Sequence, residues 1–173
     1  MLKSKKFDSP IGPMIAIADD QALYLLEFVE RKGLDPEIER LEQKTGLTIT
    51  SGHTVPILSI ENELKDYFKG KLIQFKTPMH LFGTPFQKCV WGELMNIPFG
   101  ETRSYSDLAT TLGKPTAYRA VALANSMNQL AIIVPCHRVI SATGSLSGYA
   151  GGVERKKWLL DLEASVIKRR PLP

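Results

Sequence analysis

Cysteine is scarce in this chain of 173 residues: Cys89 and Cys136 are the only two. That number cannot build a disulfide framework or a four-ligand zinc site, and two reduced thiols in a cytoplasmic protein are the expected state. Long apolar runs are missing too. The basic start of "MLKSKKFDSPIGPMIAIADD" precedes an apolar patch, as a secretory leader would, but Asp8, Pro10, Gly12 and Pro13 interrupt it. Neither secretion nor membrane insertion is expected. No internal repeat and no low-complexity segment occurs. What is present is ordinary for a globular protein, 43% hydrophobic and 23% charged residues, enough for one compact domain or two small ones. A net charge of +4 permits a polyanionic partner without requiring one.

"MIAIA" and "ALYLLEFV", separated by Asp19-Asp20, read as a hairpin. "DPEIERLEQKTG" reads as a helix capped by Asp35 and stopped at Gly46; "SIENELKDYFKGK" repeats that grammar from Ser59 to Gly70. "PMHLFGTP", Pro78 to Pro85, is the expected linker. Beyond it, Thr84 and Pro85 open a helix with Phe86, Val90, Leu94 and Ile97 on one face. Ser104 and Asp107 form a capping-box variant ahead of "LATTLG", and "PTAYRAVALANS" restarts a helix at once. Two short helices around a tight turn are either an ordinary helical hairpin or a DNA-reading helix-turn-helix with Arg119 facing the duplex.

"AIIVPCHRV" sets Cys136, His137 and Arg138 just past an apolar run that reads as a strand stopped by Pro135. Cysteine is usually a small packing residue, the role expected for Cys89 inside its helix. A thiol becomes nucleophilic beside a base or a cation, and His137 and Arg138 supply both residue types. An imidazole base needs an orienting partner. Glu163, on a helix whose Trp158, Leu159 and Leu162 would pack inward, is either that partner or a solvated glutamate. "TGSLSGYAGGVERKKW" adds a glycine-rich loop with Tyr149 and Ala150, which can wrap a flat ligand or merely connect two elements.

"PCHRV" with "RAV" before it, "GYAGGVERKKWLLDLE" after it and "TPFQKCVWGELMNIPFGETRSYSDLA" ahead closely resembles the 6-O-alkylguanine-DNA alkyltransferases. The likeness runs almost unbroken from Thr84 to Glu163 and is looser upstream. It implies a small α/β N-terminal domain (residues 1–80), then a mostly α-helical, winged-helix-like domain with a helix-turn-helix (84–166) and a basic tail (167–173). It further implies that Cys136 takes the alkyl group permanently, that His137 deprotonates it through a bound water, that Glu163 holds the imidazole and that Asn128 supports the turn. By the same resemblance Arg119 fills the gap left by a flipped nucleotide, Tyr105 helps rotate it and donates toward the base, and Val139, Tyr149 and Ala150 line the guanine pocket. The implied partner is double-stranded DNA carrying alkylated guanine, with methylthymine a second candidate lesion, approached from the minor groove by a monomer with no metal and no cofactor.

This chain has Ala122 where the family often has glycine, Gln129 where proline is frequent, and Ala150 where some relatives have serine. Two alternatives remain at this level: a lesion-binding protein without transfer activity, whose known branch replaces the cysteine, and a Cys-His hydrolase.

Overall fold

A computed structural model describes residues 1–146 and 148–170. The chain divides into two compact units, Met1–Leu81 and Phe82–Pro173.

In the first unit, β2 (Met14–Ala18) and β3 (Leu23–Phe28) pair antiparallel. Their turn is locked by Asp19, whose carboxylate accepts from the backbone N–H of Gln21 at 2.7 Å and of Ala22 at 2.8 Å. Both strands are buried throughout, which is why they read as unbroken apolar runs rather than as alternation. β1 (Leu2–Phe7) and β4 (Ile49–Ser51) complete a sheet of order β3-β2-β1-β4, with the β1–β4 pair parallel. The lysines hid β1 from sequence analysis. Lys3 bonds Thr50 at 2.9 Å and Lys5 pairs with Glu61 at 2.6 Å, so their polar heads are satisfied at the sheet.

Two expected caps are corrected. Helix α1 (Leu34–Thr45) starts after Gly33, whose φ of 81° favours glycine, and Asp35 lies inside the first turn. Helix α2 (Val55–Phe68) starts at Thr54, whose hydroxyl accepts from the Ile57 N–H. Ser59 sits mid-helix, hydrogen-bonded to Thr77 at 2.7 Å. Buried Glu27 on β3 has its carboxyl pushed up to about 7, burial outweighing Arg31 at 3.3 Å.

In the second unit, α3 (Pro85–Met95) starts at the expected Thr84 cap with Pro85 in the first turn, and Gln87, not anticipated, completes a reciprocal cap; α4 (Tyr105–Thr111) begins with the expected reciprocal cap of Ser104 with Asp107. Helix α5 (Tyr118–Ser126) follows α4 after a turn through Gly113 at φ 74°. The Trp91 indole donates to the Ala124 carbonyl at 2.9 Å and ties α3 to α5. On α3 the inward residues are Val90, Trp91 and Leu94, with Phe86 only half-buried. Cys89, expected to pack among apolar neighbours, is exposed. The two-residue strands β5 (Arg103–Ser104) and β6 (Val139–Ile140) pair in parallel.

Helix α6 (Val153–Arg169) buries Lys156, Leu159, Glu163 and Val166. Trp158 and Leu162, expected inside, are half-buried, so the inward face is rotated onto two charged residues. The expected tail boundary at 166/167 falls within this helix; residues 171–173 lie outside the described residues. No helix among the described residues is long and apolar enough to cross a membrane.

Candidate active site

The apolar run before Pro135 is a buried turn rather than a strand. Leu130 to Val134 are all at most 8% exposed. Their backbone curls on itself, Ile133 N–H to Ala131 O at 2.8 Å and Val134 N–H to Leu130 O at 3.0 Å. A segment buried on every side carries no period, so its sequence cannot distinguish turn from strand. Ile132 holds a φ of 73°, a left-handed conformation that costs a β-branched residue of order 1–3 kcal/mol.

Asn128 supplies the polar partners this turn needs. Its side-chain oxygen accepts from the Leu130 N–H at 2.9 Å. Its amide donates to the Val134 carbonyl at 2.8 Å and faces the Cys136 sulfur at 3.2 Å. The turn then passes into one turn of 3-10 helix, Cys136–Arg138. Cys136 is 6% exposed, held in a buried turn rather than on an open loop.

His137 and Glu163 are both buried, with His137 Nε2 at 2.7 Å from a Glu163 oxygen. Burial opposes the charge on Glu163, but the imidazole and the Arg138 guanidinium together hold its pKa well below the usual carboxylate range. An ionised carboxylate only accepts, so Nε2 carries the hydrogen and Nδ1 keeps its lone pair. Nδ1 is buried without a hydrogen-bond partner among the described residues. Burial lowers the pKa of His137, Glu163 opposing and Arg138 and Lys156 assisting, so the ring is neutral at pH 7.

Arg138 acts elsewhere than sequence analysis suggested. It clamps Glu163 at 2.8 and 3.1 Å, donates to the Ile97 carbonyl at 2.8 Å and lies over the Phe99 ring. The Gly100 N–H approaches the same carboxylate at 3.3 Å. Gly100 has φ 84°, and a Cβ there would lie 2.3 Å from Ile167, so the approach requires glycine. The guanidinium therefore fixes Glu163, and Glu163 fixes the imidazole.

Lys156 and Asn125 were not anticipated. Lys156, fully buried, donates its ammonium to the Val139 carbonyl. Burial lowers its pKa and the Cys136 thiol opposes that shift, which places the ammonium in the field of the sulfur. The i, i+3, i+7, i+10 spacing of Lys156, Leu159, Glu163 and Val166 marks one helix face and was a usable signal. Asn125 approaches the Cys136 carbonyl at 3.5 Å and hydrogen-bonds Tyr105. Burial and the Cys136 charge raise the Tyr105 pKa, leaving a neutral phenol donor; its hydroxyl lies beside Gly148.

The fold thus gathers Cys136, His137, Asn128 and Glu163 at one place, with Tyr105 and buried Val139 linked to them. Tyr149 is buried and Ala150 exposed. Arg119 stands apart, exposed on α5 with its guanidinium 5.9 Å from the Tyr118 ring.

The ionisation states set a pH dependence. His137 has a depressed folded pKa, so the unfolded chain takes up its proton first as pH falls through about 6.5. Glu163, also depressed, adds a loss below about 4.5. Glu27 works oppositely, costing stability as pH rises from about 4.5 through 7. Trp91 and Trp158, the two tryptophans of the chain, both lie in the second unit. The urea midpoint followed by tryptophan fluorescence should therefore fall between pH 7.5 and 5.5; a rise would contradict a neutral His137.

Residues 85–165 match the family described as 6-O-methylguanine DNA methyltransferase, DNA binding domain. The chain is 41% identical over 162 residues to the methylated-DNA–protein-cysteine methyltransferase of Methanosarcina barkeri, covering 93% of this chain and 96% of that protein. It is 44% identical over 163 residues to the Mycobacterium leprae protein of the same name, covering 94% and 93%. Among solved structures, Mycobacterium tuberculosis OGT in complex with DNA superposes with a TM-score of 0.81 at 42% identity, over 95% of this chain and 94% of that one. Likeness at this level across nearly the whole length places the chain in the methylated-DNA–protein-cysteine methyltransferase family.

Proposed function

We propose that this chain repairs DNA directly, moving the alkyl group of an O6-alkylguanine in duplex DNA onto Cys136 once and irreversibly. The observation that carries the reading is the imidazole of His137. Its Nε2–H is committed to Glu163, and its Nδ1 lone pair stays available in the residue next to the thiol. A neutral, oriented base beside a cysteine is what thiol activation requires.

The Cys136 proton passes to His137 Nδ1 through a bridging water. The thiolate, supported by the Asn128 amide at 3.2 Å and the field of Lys156, attacks the alkyl carbon in line with its bond to oxygen. A sulfur–carbon bond forms, the carbon–oxygen bond breaks, and its electron pair returns to the guanine oxygen. Tyr105 donates its proton to the leaving base and recovers one, through water, from the His137 imidazolium, so the thiol proton ends on guanine, and guanine, phenol and imidazole all finish neutral. A thioether cannot be undone by this machinery, so each molecule acts once.

In-line attack cannot reach a base inside the stack, so the nucleotide must leave it, at a cost of a few kcal/mol. Arg119, exposed on α5, fills the vacated space, and Val139, Tyr149 and Ala150 receive the base. A winged-helix-like form of residues 84–166, approach from the minor groove, methylthymine as a second lesion, and a cytoplasmic monomer needing neither metal nor cofactor complete the reading. Simple lesion binding is not favoured, because thiol, base and orienting carboxylate are all present.

Arg119→Ala tests the flipping step. Single-turnover repair of O6-methylguanine in a duplex is expected to slow roughly 30- to 100-fold, the equivalent of the few kcal/mol that extrusion costs. Reaction with the free alkylguanine base, which needs no extrusion, should change far less. Equal losses on both substrates would remove Arg119 from this role.

A further inference from the structure

The inward face of α5 ends on a polar group. Val121, Ala124 and Asn125 are its buried residues, and Asn125 is 1% exposed. Packing alone would be served there by an apolar side chain of similar size. Asparagine instead leaves its oxygen Oδ1 buried with no hydrogen-bond partner among the described residues, a cost that native cores rarely carry without a use. Its nitrogen is the working end. Nδ2 approaches the Cys136 carbonyl at 3.5 Å, and with Oδ1 unpartnered the hydrogen bond from Asn125 to Tyr105 runs from Nδ2 as well. The two amide hydrogens thus face two groups of the site, the carbonyl of the nucleophile's own residue and the phenol oxygen. The Trp91 indole holds the neighbouring Ala124 carbonyl at 2.9 Å, which pins this end of α5.

We infer that Asn125 is a positioning residue for proton donation: by donating to the Tyr105 oxygen it turns the hydroxyl hydrogen away from α5 and toward the leaving base. The inference rests on the function proposed above, in which Tyr105 protonates guanine as the bond to the alkyl carbon breaks. A phenol oxygen both accepts and donates, so a neighbour that takes the accepting role leaves the donating one for another partner. Asn125 takes it from the α5 side, and the hydroxyl lies close to Gly148, where a Cβ would stand 3.0 Å away. An acceptor in place of the amide would draw the hydrogen toward α5 and reverse the role of the phenol. The approach to the Cys136 carbonyl sets this donor in place relative to the nucleophile.

The test is single-turnover methyl transfer by the full-length protein at saturating O6-methylguanine duplex, run as a double-mutant cycle with Tyr105→Phe. Asn125→Leu, which keeps the volume and removes the amide, is expected to slow transfer roughly ten- to thirtyfold, a share of the 10²- to 10⁴-fold that a positioned acid supplies. Duplex affinity should stay within about twofold of wild type, because phosphate contacts largely set it. The same loss is expected with free O6-methylguanine base, which needs no extrusion. In the Tyr105→Phe background, Asn125→Leu should change the rate by less than about twofold, since the group it positions is gone. A purely structural asparagine would slow both backgrounds alike. Equal losses in the two backgrounds, a wild-type rate, or a loss confined to the duplex substrate each overturns the inference, as does a Tyr105→Phe protein that transfers at the wild-type rate. If Asn125→Leu does not fold, Asn125→Ala carries the same cycle with the same expectations. A wild type that accepts no methyl group on Cys136 defeats the proposed function itself; a wild type that accepts it, with the Asn125 variants equally fast, defeats this inference alone.

Discussion

Cys136→Ala is expected to abolish alkyl transfer outright while leaving duplex affinity within about twofold of wild type, since association rests largely on phosphate contacts. No other thiol can substitute. Cys89 is exposed to solvent on α3, whereas the Cys136 sulfur sits beside Asn128 and next in sequence to a neutral histidine. Single-turnover transfer from methylated duplex, alongside anisotropy on the same duplex, checks both halves. Residual transfer would move the acceptor elsewhere, and lost binding would mean the cysteine shapes the DNA surface.

Glu163→Gln is the second large effect, and the more informative. The carboxylate accepts from His137, from Arg138 twice and from Gly100. An amide offers one acceptor and one donor in the same place. With its oxygen on the guanidinium, its NH2 faces Nε2, which must then become the acceptor, and the ring hydrogen moves to Nδ1. The base is lost although every heavy atom stays in position. A fall of roughly 10²- to 10⁴-fold in transfer rate is expected, the range known for the loss of an oriented base. Removing the charge also leaves Arg138 buried without its counter-ion, which costs about 3–5 kcal/mol of stability. A variant that melts earlier but transfers at the wild-type rate would limit Glu163 to structure.

Much of this was legible beforehand because it depends on local chemistry. Thr84 ahead of Pro85, and Ser104 with Asp107 three residues on, start their helices through near neighbours that sequence displays directly. The β2–β3 hairpin was legible through its turn. What escaped depends on distant partners. Lysines hid β1 because its pairing with β2 and β4 is a property of the sheet. Asp35 and Ser59 are good cap residues that were outcompeted, by the left-handed Gly33 and by Thr54 one turn earlier.

The same division runs through the site. Cys136 and His137 are adjacent, and the motif around them carried the family resemblance. Arg138 was legible as a cation but not in its direction, because its target lies 25 residues away on α6. Leu130 to Val134 read as a strand because uniform burial has no period, and only Asn128 shows that the chain curls there.

One measurement bears most directly on the transferred group itself. The intact mass of the full-length protein, before and after incubation with excess O6-methylguanine duplex, should rise by one methyl group and no further, with peptide mapping placing it on Cys136 and leaving Cys89 unmodified. Repeated turnover without added mass, or a methyl group on Cys89, would contradict the account.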